Sequence, residues 1–208
     1  MVVGAAVGAL AGAVAYVAAP LGETVAAILA VAALVVVTGA LHADGLADCA
    51  DGLGVRGDRA RRLEVMRDSA IGTFGTLALV LWAMLLVAAL AGLDRGEVLR
   101  ALVVAAALGR WAALVHAAIT TPARTDGLGA AFAPGPVALA IASLTATACA
   151  LALAGVVNGV AVLVVAAAIA VLVAGWARVG LGGRTGDTLG ATVALAEVGV
   201  LATLLWLS

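Results

Sequence analysis

A chain of 208 residues that is 65% hydrophobic and only 11% charged, with a mean hydropathy of +1.24, lies far outside the composition of a water-soluble domain. The expected fold class is all-α, a polytopic transmembrane helical bundle forming a single integral-membrane domain over 1–208. A net charge of −1 leaves no basic footprint for nucleic acid and excludes little else, because in a bilayer the placement of charges matters more than their sum.

A helix needs about 20 apolar residues to cross the hydrocarbon, and seven runs qualify, over 2–19, 25–41, 71–93, 98–119, 137–157, 160–176 and 189–207. The first lacks a basic leader and is followed by further spans, so no cleavable signal peptide is expected. Its Gly4, Gly8 and Gly12 repeat every four residues and predict a smooth stripe for close helix approach. The fifth and sixth runs meet at Asn158-Gly159, read as a tight turn. Cys49 and Cys149 are the only cysteines, one in polar sequence and one in an apolar run, so no structural disulfide is expected.

The connections are unequal. The stretch 42–70 is the longest and most charged, and all eleven basic residues of the chain are arginine. By the positive-inside rule this stretch faces the cytoplasm. Seven spans then bring 120–136 and 177–188 to the same side, leaving short, plain connections opposite. Arg95 and Arg100 argue the other way, against eight arginines at 56, 59, 61, 62, 67, 124, 178 and 184. The localisation expected is a multi-pass protein of the cell inner membrane, with the bilayer as partner and a homo-oligomer left open.

Within 42–70, Asp44, Asp48 and Asp51 fall at i, i+4 and i+7 and share one face if the stretch is helical. Three carboxylates so gathered suit a hard cation such as Mg²⁺, held together with substrate phosphates. Charges inside a membrane are expensive and point to function by default. Arg110 and His116 in the fourth span and Glu197 in the seventh are such charges. Arg110 is read either as a ligand or as the ion-pair partner of Glu197, and His116 as a satisfied histidine near the interface. Aspartates, arginine forks and Gly-rich turns together suit a phosphate-bearing substrate.

The motifs narrow this. His42-Ala43-Asp44-Gly45-Leu46-Ala47-Asp48-Cys49-Ala50-Asp51-Gly52 resembles the HxDGLADxxDG signature of the cobalamin synthases, the adenosylcobinamide-GDP ribazoletransferases. Three more blocks follow in family order: 64–75, which looks like EIMKDSxIGxFG; 123–132, like ARxxGLGxxF; and 183–191 followed by Glu197, like GxTGDxLGAxxExxE. Gly109-Arg110-Trp111 also has a family counterpart. Two departures stand out: no counterpart of the family's FxTRxP-like N-terminal run, and Ala70 where the family is often basic.

The resemblance implies a transferase of cobalamin biosynthesis that joins adenosylcobinamide-GDP to α-ribazole, or to its 5′-phosphate, and releases GMP. It implies Mg²⁺ as cofactor, with Asp44, Asp48 and Asp51 as metal ligands and His42 or one of these aspartates as base. Arg67, Asp68, Ser69, Arg110, Arg124, Asp126, Arg184, Asp187 and Glu197 would bind substrate. Two other readings compete. A CDP-alcohol phosphotransferase would carry an arginine where Asp48 stands. A transporter working through intramembrane acids would gather its charges at the midplane, not at one face.

Overall fold

The computed structural model describes all residues 1–208, as nine α-helices and one short 3₁₀ turn at Ala19–Leu21. In chain order the helices are α1 (Val2–Ala18), α2 (Glu23–Val37), α3 (Leu41–Gly54), α4 (Arg59–Val65), α5 (Thr73–Gly92), α6 (Arg95–Ile119), α7 (Gly127–Ala131), α8 (Pro136–Leu181) and α9 (Gly186–Trp206). Five are long and apolar enough to cross a membrane, and a sixth crossing is added if α2 and α3 count as one bent element.

The centre of the bundle is the pair α6 and α9, whose Leu102, Leu108, Val200 and Leu201 are fully buried. Helix α6 packs on α1, α8 and α9, while α9 also receives α3 and α5. The glycine stripe of α1 is the surface that lies against α6. A side chain at Gly4 or Gly8 would come within 2.5 Å or 2.3 Å of the carbonyl oxygens of Ala106 and Leu102. In a bilayer, where lipid tails are as apolar as leucine, such backbone approach and its van der Waals contact hold helices together.

Two breaks depart from the expected boundaries. The second run ends early, at Val37, and the chain turns by 89° into α3. Gly39 and Ala40, both at φ 60° in the left-handed region, make that corner, and Ala40 is the only residue other than glycine there. Such a conformation is strained for an alanine. It costs of order 1–3 kcal/mol and is kept where surrounding packing determines it.

The second departure corrects the hairpin. Asn158 and Gly159 are helical, and the reversal falls at Gly155, with φ 79° and ψ 175°, a combination open to glycine alone. Gly159 has a packing role instead: a Cβ there would lie 2.9 Å from the carbonyl oxygen of Ala150. Positions nine apart in a straight helix are separated by about 13 Å, so this contact exists only because the two arms of α8 fold back on each other.

The α1–α6 contact generates an expectation. Gly8→Val drives a branched side chain into the backbone of α6 and should destabilise the bundle by roughly 1–3 kcal/mol. Gly96→Ala, with nothing within 4 Å of the new methyl group, should be neutral or stabilising by up to about 1 kcal/mol. Thermal unfolding in detergent micelles, comparing the two variants with the parent, measures both.

Candidate active site

Helix α3 presents two faces. Asp44, Asp48 and Asp51 project from one, and Leu46, Cys49 and Leu53 lie on the other, where they border an apolar niche against α8 and α9. The helix seats on α9 by backbone contact. A Cβ at Gly45 would lie 2.7 Å from the carbonyl oxygen of Asp187, and one at Gly190 would lie 3.2 Å from that of Leu41. Glycine at both positions therefore lets the acidic face reach the N-terminal end of α9.

A cleft of about 140 Å³ opens at this junction, lined by Asp44 and Gly45 of α3, Arg124, Asp126 and the Gly127–Gly129 turn, and Arg184, Thr185, Gly186 and Asp187. Residues from three connections thus share one opening at one end of the bundle. Asp48, half-buried one turn beyond Asp44, belongs to the same grouping. The carboxylate acting most strongly on it is Asp187, ahead of Asp44 and Asp51. The basic side is Arg67, Arg124 and Arg184. Arg67 forms an exposed ion pair with Asp126, Nη2 to Oδ2 2.7 Å. Burial, and next the like charge of Arg67, pull the Arg124 guanidinium below its ordinary range, while Asp187, Asp126 and Asp48 act in the opposite sense.

Arginines also fasten the strap 120–131 that roofs the cleft. Arg184 is only 4% exposed; its Nε donates to the Gly129 carbonyl at 2.9 Å and its Nη1 to those of Thr120 and Ala117. Arg59 donates to the Ala123 carbonyl at 2.7 Å and Arg124 to that of Leu63 at 2.7 Å. A guanidinium has five donors in a fixed fork, so one side chain can hold several strap carbonyls at once. Nη2 of Arg184 has no protein partner, and this residue lines the cleft.

Asp51, on the same face of α3 as Asp44 and Asp48, also braces α5: Oδ2 accepts from Gly72 N at 2.7 Å and Oδ1 from Gly75 N at 2.8 Å. These are amides at the N-terminal end of α5, which no helical carbonyl satisfies. No group of three carboxylate, imidazole or thiol side chains is drawn together as a ready ligand set. Mg²⁺ is usually held by one or two carboxylates plus waters and substrate phosphates. Asp44 and Asp187 at the cleft, with Asp48 one turn beyond Asp44, fit that mode.

His42 is two residues from Asp44, on another side of α3. Its Nδ1 lies 3.5 Å from Nη2 of Arg110; arginine can only donate, so the ring proton at this contact sits on Nε2. Arg110 forms a buried ion pair with Glu197 and also donates to the Ala106 carbonyl. Arg110 and Glu197 thus strap α6 to α9 beneath the cleft. Asp68 caps a local turn, accepting from Ala70 N at 3.0 Å, and Ser69 is exposed beside it.

His116 stands near the C-terminal end of α6. It is fully buried, because its position on α6 faces α9, where Nδ1 meets Thr192 Oγ1 at 2.7 Å. That hydroxyl gives its proton to the Thr188 carbonyl, so Nδ1 is the donor, and Nε2 has no partner. The capping box of Thr185 and Thr188 at the start of α9 was given no role by the sequence reading. Its signal was a threonine followed three residues later by another polar side chain, directly before an apolar run.

With this geometry in place, the comparisons decide the family. A sequence model described as Cobalamin-5-phosphate synthase matches residues 1–205. The chain belongs to the cobalamin-5-phosphate synthase family. Among curated relatives, the adenosylcobinamide-GDP ribazoletransferase of Rhizobium meliloti (strain 1021) is 41% identical over 190 residues, which is 86% of this chain and 72% of the relative. That of Roseiflexus sp. (strain RS-1) is 42% identical over 186 residues, 88% of this chain and 68% of the relative. The Halorubrum lacusprofundi protein of the same name is 41% identical over 185 residues, 82% of this chain and 72% of the relative. No solved structure matches.

The placement of Asp51 gives a second prediction. Asp51→Ala strips two amides of α5 of their acceptor and should cost about 0.5–2 kcal/mol of stability, as other lost helix caps do. The thermal midpoint of the purified protein reads this, and Asp44→Ala, an exposed residue with no such bond, serves as the comparison.

Proposed function

We propose that this chain is a Mg²⁺-dependent adenosylcobinamide-GDP ribazoletransferase, which joins adenosylcobinamide-GDP to α-ribazole or its 5′-phosphate to give adenosylcobalamin or its 5′-phosphate plus GMP. The observation that carries the reading is the single cleft that Asp44 and Asp187 line together with Arg124 and Arg184, with Asp48 one turn beyond Asp44 on the same helix face. Family membership over residues 1–205 and relatives bearing this name support it.

The reaction forms a bond between the ribose hydroxyl oxygen and the cobinamide-linked phosphorus, and breaks the bond from that phosphorus to the oxygen of GMP. Positioning and charge neutralisation account for most of such a displacement. Asp44, Asp48 and Asp187 would hold Mg²⁺, which when bound serves as a Lewis acid toward the diphosphate. Arg124 and Arg184 in the cleft lining, with Arg67 beside Asp126, would neutralise the negative oxygens, and the Gly127–Gly129 turn would let phosphate approach backbone. A carboxylate of the cleft, or His42 beside Arg110, would accept the hydroxyl proton. The cleft is small beside a corrinoid, so the macrocycle and the bases lie across the open face while the diphosphate enters.

The reading takes seven crossings, counting each arm of α8 separately: α1, the bent α2–α3 element, α5, α6, the two arms of α8, and α9. Helix α2 alone, at 15 residues, is about 22 Å long and short of a 30 Å hydrocarbon layer. The eight arginines at the cleft end, against Arg95 and Arg100 at the other, favour by the positive-inside rule a cytoplasmic cleft and an inner-membrane location.

Two experiments test this. Membranes carrying the protein, given Mg²⁺ and both substrates, should release GMP, and Asp48→Asn should lower the rate by roughly two orders of magnitude or more without loss of folded protein. Wild-type rates and Mg²⁺ dependence in that variant would remove Asp48 from the site. For orientation, Arg56→Cys and Gly96→Cys place exposed thiols near opposite ends of the bundle. An impermeant thiol reagent added to intact cells should label the second and spare the first, and the reverse pattern would invert the topology.

A further inference from the structure

We propose that Thr185 is a positioning residue for the Asp187 carboxylate, holding one of its oxygens so that the other is presented to the cleft. The proposal rests on the reading of Asp187 as part of the cation site. Thr185 is the N-cap of α9 and is 3% exposed. Its Oγ1 accepts from Thr188 N at 3.2 Å and lies 3.1 Å from Asp187 Oδ2. An ionised carboxylate only accepts, so the one hydroxyl proton is directed to Oδ2. An ordinary N-cap hydroxyl needs only to accept; this one also donates, to a side chain that lines the cleft.

The hydroxyl has little freedom to turn elsewhere. Thr185 N donates to Thr188 Oγ1 at 3.0 Å, and Thr188 Oγ1 donates to the Thr185 carbonyl at 3.0 Å. Thr188 and Thr192 are fully buried, and His116 closes the stack from α6. On the other side the strap presses in: a Cβ at Gly129 would lie 2.7 Å from Thr185 Cα. Asp187 Oδ1 has no protein partner. Without the Thr185 donor, a carboxylate in the first turn of a helix is free to swing toward that helix's own unpaired amides, which attract negative charge, and so to leave the cleft.

The test uses purified full-length protein in detergent, with Mn²⁺ as a paramagnetic probe of the cation site in the absence of substrates, and GMP release against Mg²⁺ concentration in parallel. Loss of a group that orients a metal ligand typically weakens metal binding 10–100-fold, so Thr185→Val should weaken Mn²⁺ binding about tenfold or more and raise the Mg²⁺ requirement in the same proportion. Thr185→Ser, which keeps the hydroxyl, should restore both. Thr188→Val removes the reciprocal half of the capping box but leaves the donor to Oδ2, so it should lower thermal stability while Mn²⁺ affinity stays near wild type. The proposal is overturned if Thr185→Val binds Mn²⁺ like wild type, if Thr185→Ser fails to restore binding, or if Thr188→Val weakens it equally. Asp187→Asn is the separate check on the underlying reading: unaltered Mn²⁺ affinity in that variant would remove Asp187 from the cation site altogether.

Discussion

The site depends on one contact, the seating of α3 on α9 where Gly45 meets the carbonyl of Asp187 and Gly190 meets that of Leu41. Two helix backbones approach this closely only where neither carries a side chain between them. The consequence is electrostatic as well as steric. The acidic face of α3 is delivered to the first turn of α9, and Asp187 joins Asp44 and Asp48 although more than 130 residues of chain separate it from them. The right-angle corner after α2, with Ala40 held left-handed, makes the same arrangement possible from the other side. It turns α3 away from the axis of α2, so that its acidic face meets the start of α9.

Charge in this protein is used in three different ways. In the cleft, opposed groups are left with free oxygens and nitrogens, as a phosphate-binding site requires. In the strap, Arg59, Arg124 and Arg184 spend donors on backbone carbonyls that would otherwise be unsatisfied. Beneath both, Arg110 and Glu197 neutralise each other between α6 and α9, and removing either would leave an uncompensated buried charge. The same residue type thus acts as clip or as strut according to what surrounds it, and Arg184 serves as a clip through Nε and Nη1.

The alternatives weighed on the sequence fall away for related reasons. A transporter needs its polar groups along a path through the membrane, whereas here the deepest charges, Arg110 and Glu197, are paired with each other. The family match over residues 1–205 excludes the CDP-alcohol phosphotransferases on independent grounds.

By itself the sequence determined the membrane class, the positions of most helices, the glycine stripe of α1 and the family, because hydropathy, spacing and motif order are properties of neighbouring residues. It also determined that Asp44, Asp48 and Asp51 share a helix face. Only the tertiary structure decided what each of them meets, because a carboxylate goes to whatever donors the fold brings near. Asp51 meets the amides of Gly72 and Gly75, and Asp187 comes to the same face from the start of α9. The hairpin fell at Gly155 and not at Asn158-Gly159 because the reversal needs one positive φ, and several glycines of similar local context can supply it. The burial of His116 and the donor role of Thr185 were equally invisible, since each is defined by a contact between α6, α9 and the strap that no local pattern encodes.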